Sequence, residues 1–132
     1  MVKWSRYEYE RYLAQKEAEE IEKDPEKKRI YKAVKEENDL LLGAMAYLND
    51  HGIWYKHDWN SRRERIGIPD LLICYDGIFV ACELKSKTGK IKSIQLRELA
   101  KIRKNGGYTF VARNLDEFIY KLKTKINENY PH

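Results

Sequence analysis

The chain has 132 residues, 26 Lys and Arg against 21 Asp and Glu, a formal net charge of +5 and a pI near 9.1. That length suits one sizeable core and excludes two. No apolar run is long enough for a membrane span, Met1 to Glu10 lacks the apolar segment of a secretory signal, and Cys74 and Cys82 alone make neither a disulfide scaffold nor a structural zinc site. A reduced cytoplasmic location is the simple expectation.

In chain order, residues 5–23 read as a charged helix opened by the capping box Ser5-Arg6-Tyr7-Glu8, with Ala14, Ala18 and Ile21 as a thin stripe. Asp24-Pro25 reads as the cap and first residue of a second helix that runs to about Asn49. Its apolar stripe is Ile30, Val34, Leu41, Ala44, Met45 and Leu48, and His51-Gly52 ends it. Ile53 to Trp59 is strand-like, and 60–67 is a polar, basic loop. Leu71 to Tyr75 and Ile78 to Leu84 are strands joined by Asp76-Gly77, a strong hairpin signal. A basic loop, Ser86 to Lys92, leads to a helix capped by Ser93 and closed at Asn105-Gly106-Gly107. Tyr108 to Ala112 is a short strand, and Asn114-Leu115-Asp116-Glu117 caps a last helix reaching about Ile126. The order α-α-β-β-β-α-β-α implies an α/β fold with a mixed β-sheet flanked by helices.

The positive charge is concentrated. Residues 1–36 are nearly neutral, whereas Lys85, Lys87, Lys90, Lys92, Arg97, Lys101, Arg103 and Lys104 face only Glu98 within 84–104. Arg62, Arg63 and Arg65 form a second cluster. Such clusters suit a polyanion, because Lys and Arg neutralise phosphates and release counterions. They equally suit a solvated face kept soluble by charge.

The hairpin resolves part of that choice. With Tyr75 facing Ile78 across the turn, counting back sets Asp70 opposite Glu83, their Cβ atoms about 4.5–5.5 Å apart. Lys85 points to the same face as Glu83. Two carboxylates at that distance repel unless a cation lies between them, and Mg2+ takes one or two carboxylates with waters and phosphate oxygens. Glu37 falls inside the apolar stripe of its helix, where a carboxylate needs a partner. Its neighbour Glu36, on the flank with Leu40, Gly43 and Tyr47, is the fallback. Gln95 shares a helix face with Leu99 and Ile102 and also needs partners.

Gly67-Ile68-Pro69-Asp70, the following Glu83-Leu84-Lys85 and Gln95 in the next helix together resemble the PD-(D/E)XK nuclease signature. More closely they resemble the virus-type replication-repair nuclease (VRR-NUC) family, with Glu37 as the glutamate of its early helix. The resemblance implies a restriction-endonuclease-like core over 35–132, preceded by a charged helical extension over 1–34. It further implies a structure-selective endodeoxyribonuclease acting on branched, Holliday-junction-like or flap DNA, as a homodimer of viral, prophage or bacterial origin. Asp70 and Glu83 would bind Mg2+ or Mn2+ with the Leu84 carbonyl, and Glu37 would complete the shell directly or through water. Lys85 would orient or deprotonate the attacking water, and Gln95 would position Lys85 or the substrate. Arg62, Arg63, Arg65, Lys87, Lys90 and Lys92 would hold the DNA backbone. Against this stand a DNA-binding module that keeps the fold without cleavage and a restriction-like enzyme reading a defined sequence.

Other residues take plainer readings. His51, His57 and His132 have no metal-ligand spacing. Cys74 faces Phe79 and Cys82 faces Leu71 in the proposed register, so the cysteines are not partners. Trp54 and Trp59 are expected to mix core and interface roles, and Trp4, Tyr7, Tyr9 and Tyr12 to pack against a partner subunit.

Overall fold

Capping and turn chemistry decide where the elements begin. The computed structural model describes residues 3–57 and 66–125. Its elements are α1 (Arg6–Lys23), α2 (Pro25–Asp50), β1 (Trp54–His57), β2 (Leu71–Tyr75), β3 (Ile78–Leu84), α3 (Ser93–Lys104), β4 (Tyr108–Ala112) and α4 (Leu115–Thr124), the order read from the sequence. Ser5 Oγ accepts from Glu8 N while Ser5 N donates to Glu8 Oε2, the reciprocal cap expected for α1. Asp24 Oδ1 accepts from the amides of Glu26 and Lys27 and leaves Pro25 in the first helical position. Asn114 Oδ1 accepts from Glu117 N at 2.8 Å and starts α4.

Boundaries shift in three places. Lys92, not Ser93, is the cap of α3, and its amide donates to Gln95 Oε1 at 2.9 Å as the glutamine reaches back. Helix α4 ends at Thr124, where Lys125 turns left-handed (φ 54), short of the expected end at Ile126, which lies outside the described residues. Strand β1 begins at Trp54 rather than Ile53 and is described through His57; Asp58 and Trp59, where the expected strand ends, lie outside the described residues.

The sheet runs β1-β2-β3-β4, with β1, β2 and β3 antiparallel and β3 parallel to β4. Asp76 (φ 50) and Gly77 (φ 74) both take the left-handed backbone that a two-residue hairpin turn demands. The turn locks the expected register, from Tyr75 opposite Ile78 to Leu71 opposite Cys82. The parallel pair needs a crossover, and α3 provides it. One sheet face packs Leu71, Ile73, Val80, Cys82 and Phe110 against Leu40, Ala44 and Leu48 of α2 and Phe118 and Leu122 of α4. The other packs Ala81 and Val111 against Leu99 of α3. Every residue of β4 is buried, as a strand covered on both faces should be.

The apolar stripe of α2 holds from Leu41 to Leu48, with Leu40 added to it, but not at Ile30 and Val34. Leu40, Ala44 and Leu48 are buried, whereas Ile30 and Val34 are half-exposed and Leu41 and Met45 only partly covered. The stripe follows the stretch of helix that lies on the sheet, and it sets Glu36 and Glu37 at the end of that stretch, both partly buried. Trp54 is exposed rather than in the core.

The chain divides into two compact units, residues 1–35 and 36–132. In the first, α1 buries no residue, and Trp4 packs edge-on to Tyr12 with ring centroids 4.6 Å apart. The second holds the sheet, its helices and the site described below. Among the described residues no helix is long and apolar enough to cross a membrane.

Candidate active site

The site is built at the end of the β2–β3 hairpin, on the face that α3 covers. Gly67 (φ +85) lies so close to α3 that a Cβ there would sit 2.9 Å from Ile94 Cγ1. This approach, with Pro69 fully buried, delivers Asp70 to the start of β2. Asp70 Oδ2 accepts from Leu84 N at 2.8 Å, so the aspartate is tied to the strand that carries the glutamate. Glu83, 2% exposed, alternates with Ala81 and so shares the face that Leu99 packs on. Lys85 N donates to Ala112 O at 3.0 Å, extending the alignment with β4 past Leu84. Its Nζ lies 3.9 Å from Glu83 Oε1. From the first turn of α3, Gln95 Nε2 donates to the same Oε1 at 3.0 Å. Gln95 therefore holds Glu83, where the sequence suggested Lys85 or a substrate.

The two oxygens of Glu83 have different surroundings. Oε1 meets Gln95 and Lys85, while Oε2 is buried and receives no N–H donor among the described residues. Burial above all, then the charge of Asp70 and a shared proton with it, then Glu37, push Glu83 up to about 9, with Lys85 acting in the opposite direction. At neutral pH the bare carboxyl pair thus retains a proton, in the place where a cation would make both groups ionise.

Among the described residues no three His, Cys, Asp or Glu side chains converge into a ready-made metal cage. The donor set is smaller: two apposed carboxylates, one with a buried oxygen that no N–H donor reaches among the described residues, beside a lysine. That set fits an oxygen-loving divalent ion that keeps several waters and takes phosphate oxygens as further ligands. Glu37 and its neighbour Glu36 are both directed to the segment after Lys85. Glu37 Oε1 accepts from Ser86 N at 3.2 Å, and Glu36 Oε2 accepts from Lys87 N at 3.2 Å.

Lys87, Lys90 and Lys92 are exposed on the segment leading into α3. Arg62, Arg63 and Arg65 lie outside the described residues. Sequence reasoning missed Arg113, which directly follows β4. Its Nη1 donates to Ser86 O at 2.7 Å and Gly89 O at 2.7 Å. The available signal was positional: a lone cation between a buried strand and the Asn114 cap, with no periodic pattern to single it out.

No protein-family model and no curated protein matches the chain. Among solved structures, a chain described as a VRR_NUC domain is similar to it, with a TM-score of 0.58 and 26% sequence identity, covering 67% of this chain and 95% of that one. The likeness gives this chain a nuclease-type fold.

Proposed function

The chain belongs to the VRR-NUC family of PD-(D/E)XK nucleases, and from that premise we propose that it is a metal-dependent, structure-selective endodeoxyribonuclease. One observation carries the reading: Glu83 is buried against Asp70 with an oxygen that no N–H donor reaches among the described residues, and Lys85 and Gln95 reach its other oxygen. A purely structural carboxylate pair at a strand end has no reason to be desolvated in this way.

In this reading Asp70 and Glu83 would hold Mg2+ or Mn2+, with the Leu84 carbonyl as a further ligand and Glu37 acting directly or through water. Such an ion, when bound, would supply an activated water at neutral pH and neutralise charge on the phosphate. Lys85, as an ammonium, would orient that water and stabilise negative charge developing on the phosphate. Gln95 keeps Glu83 Oε1 in place. Lys87, Lys90 and Lys92, together with Arg62, Arg63 and Arg65, engage the DNA backbone. Phosphate contacts position a duplex without reading its sequence, so selection falls on DNA structure, with branched DNA as the substrate. The family resemblance adds a homodimer.

The test is cleavage of a labelled four-way junction, a flap, a single strand and a matched duplex, with Mg2+, Mn2+ or EDTA, beside Glu83→Ala. Metal-dependent cutting of a branched substrate, lost in Glu83→Ala with binding retained, is the expected result. Binding without cutting under either metal would assign a DNA-binding module instead. A single cut in one duplex sequence would assign a restriction-like enzyme.

A further inference from the structure

Immediately after Lys85 the chain makes a tight turn, with Gly89 N donating to Ser86 O at 3.2 Å. Ser86 is buried, 2% exposed, so its backbone groups need protein partners. They find them at both ends of the turn. On the amide side, Ser86 N donates to Glu37 and Lys87 N to Glu36. On the carbonyl side, Arg113 Nη1 donates to Ser86 O and Gly89 O. The peptide dipoles thus run from two carboxylates to a guanidinium. The anchor is stiff, because Arg113 follows Ala112, whose carbonyl also receives Lys85 N.

The turn therefore links Arg113 to Glu37. The Ser86 amide that orients Glu37 belongs to the peptide chain whose carbonyls Arg113 holds. We propose that Arg113 is a positioning residue of the metal site, which acts through the Ser86–Gly89 turn to fix the orientation of Glu37 against the segment that follows Lys85. This rests on the nuclease reading above and extends it to a residue outside the motif. Arg113 touches neither the metal nor the substrate in this account. Its loss leaves Gly89 O without its guanidinium donor and the buried Ser86 O with only the Gly89 amide, and frees the turn to swing Ser86 N away from Glu37. Arg suits this position better than Lys, because its planar fork holds a fixed direction once one nitrogen is anchored.

The test is Mn2+ binding by the full chain, measured calorimetrically without DNA, in wild type, Arg113→Ala, Arg113→Lys, Glu37→Gln and the double variant Arg113→Ala/Glu37→Gln. Arg113→Ala is expected to weaken Mn2+ binding about tenfold, the scale of a lost support behind a metal ligand. Arg113→Lys should recover part of it. In the Glu37→Gln background the Arg113 change should have no further effect, because the group it positions is gone. Wild-type affinity in Arg113→Ala, or equal weakening with and without Glu37, would overturn the proposal while leaving the nuclease reading standing. A wild-type chain that binds no Mn2+ would overturn both. If Arg113→Ala does not fold, Arg113→Gln keeps most of the aliphatic stem, and the same comparison applies to it.

Discussion

Gln95 donates through Nε2 to Glu83 Oε1 at 3.0 Å, and with its own Oε1 it accepts the Lys92 amide that opens α3. One side chain thus fixes the start of a helix and the orientation of the buried glutamate. A hydrogen bond to a charged group is worth about 1.5–3 kcal/mol. Gln95→Ala should therefore slow single-turnover junction cleavage about tenfold to a hundredfold. Gln95→Glu should be slower still, since it brings a further carboxylate to Asp70 and Glu83.

The raised Glu83 predicts how the metal-free protein responds to pH. The folded chain holds a proton on Glu83 up to about pH 9, whereas the unfolded chain releases it near the ordinary value of 4.5. Between those values the folded state binds more protons, so stability is greatest below the unfolded pKa and declines as pH rises toward the folded one. Thermal melts in EDTA should show Tm falling across this window. Glu83→Gln should flatten the slope, and added Mg2+ should restore Tm most at the alkaline end. A wild-type Tm indifferent to pH would contradict the buried carboxyl pair.

Lys85 is the cation nearest Glu83 among the described residues, with Nζ 3.9 Å from Oε1 and a side chain 11% exposed. Its loss should affect chemistry more than binding. Lys85→Ala should cut cleavage about a hundredfold or more, on the scale of a lost charge-stabilising donor. Junction affinity measured by anisotropy in Ca2+ should stay close to wild type. An equal loss of binding and cleavage would move Lys85 to the DNA-contacting residues.

Gly67 offers a test of how the aspartate is delivered. Alanine there would take a strained left-handed backbone and meet Ile94 Cγ1 at 2.9 Å. Gly67→Ala should cost about 1–3 kcal/mol, read as a lower urea midpoint, and should lower cleavage by displacing Asp70. Gly77→Ala, also left-handed but with nothing near its Cβ, should lose stability with less effect on cleavage.

What the sequence carried well were local signals with one physical solution. Asp76-Gly77 admits one short hairpin geometry, and that geometry fixed the register that sets Asp70 against Glu83. Capping residues marked the starts of α1, α2 and α4. What it carried poorly depended on tertiary contact. The stripe of α2 was carried too far toward its start, to Ile30 and Val34, because helical periodicity does not say which stretch of a long helix is covered. Gln95 was recognised as a polar group needing a partner, but its partner is Glu83, a long-range choice that spacing along one helix does not reveal. Arg113 was invisible for the same reason: it contacts backbone carbonyls, which leave no mark in the residue pattern.

The central claim is that Asp70 and Glu83 together hold the metal on which strand cleavage depends. Its most direct test is a Mg2+ titration of single-turnover four-way-junction cleavage by wild type and Asp70→Asn, with junction binding measured on the same samples. The account predicts saturable Mg2+-dependent cleavage by wild type, and junction binding with cleavage at the EDTA background for Asp70→Asn. Cleavage by Asp70→Asn at the wild-type rate and the same Mg2+ midpoint would contradict it.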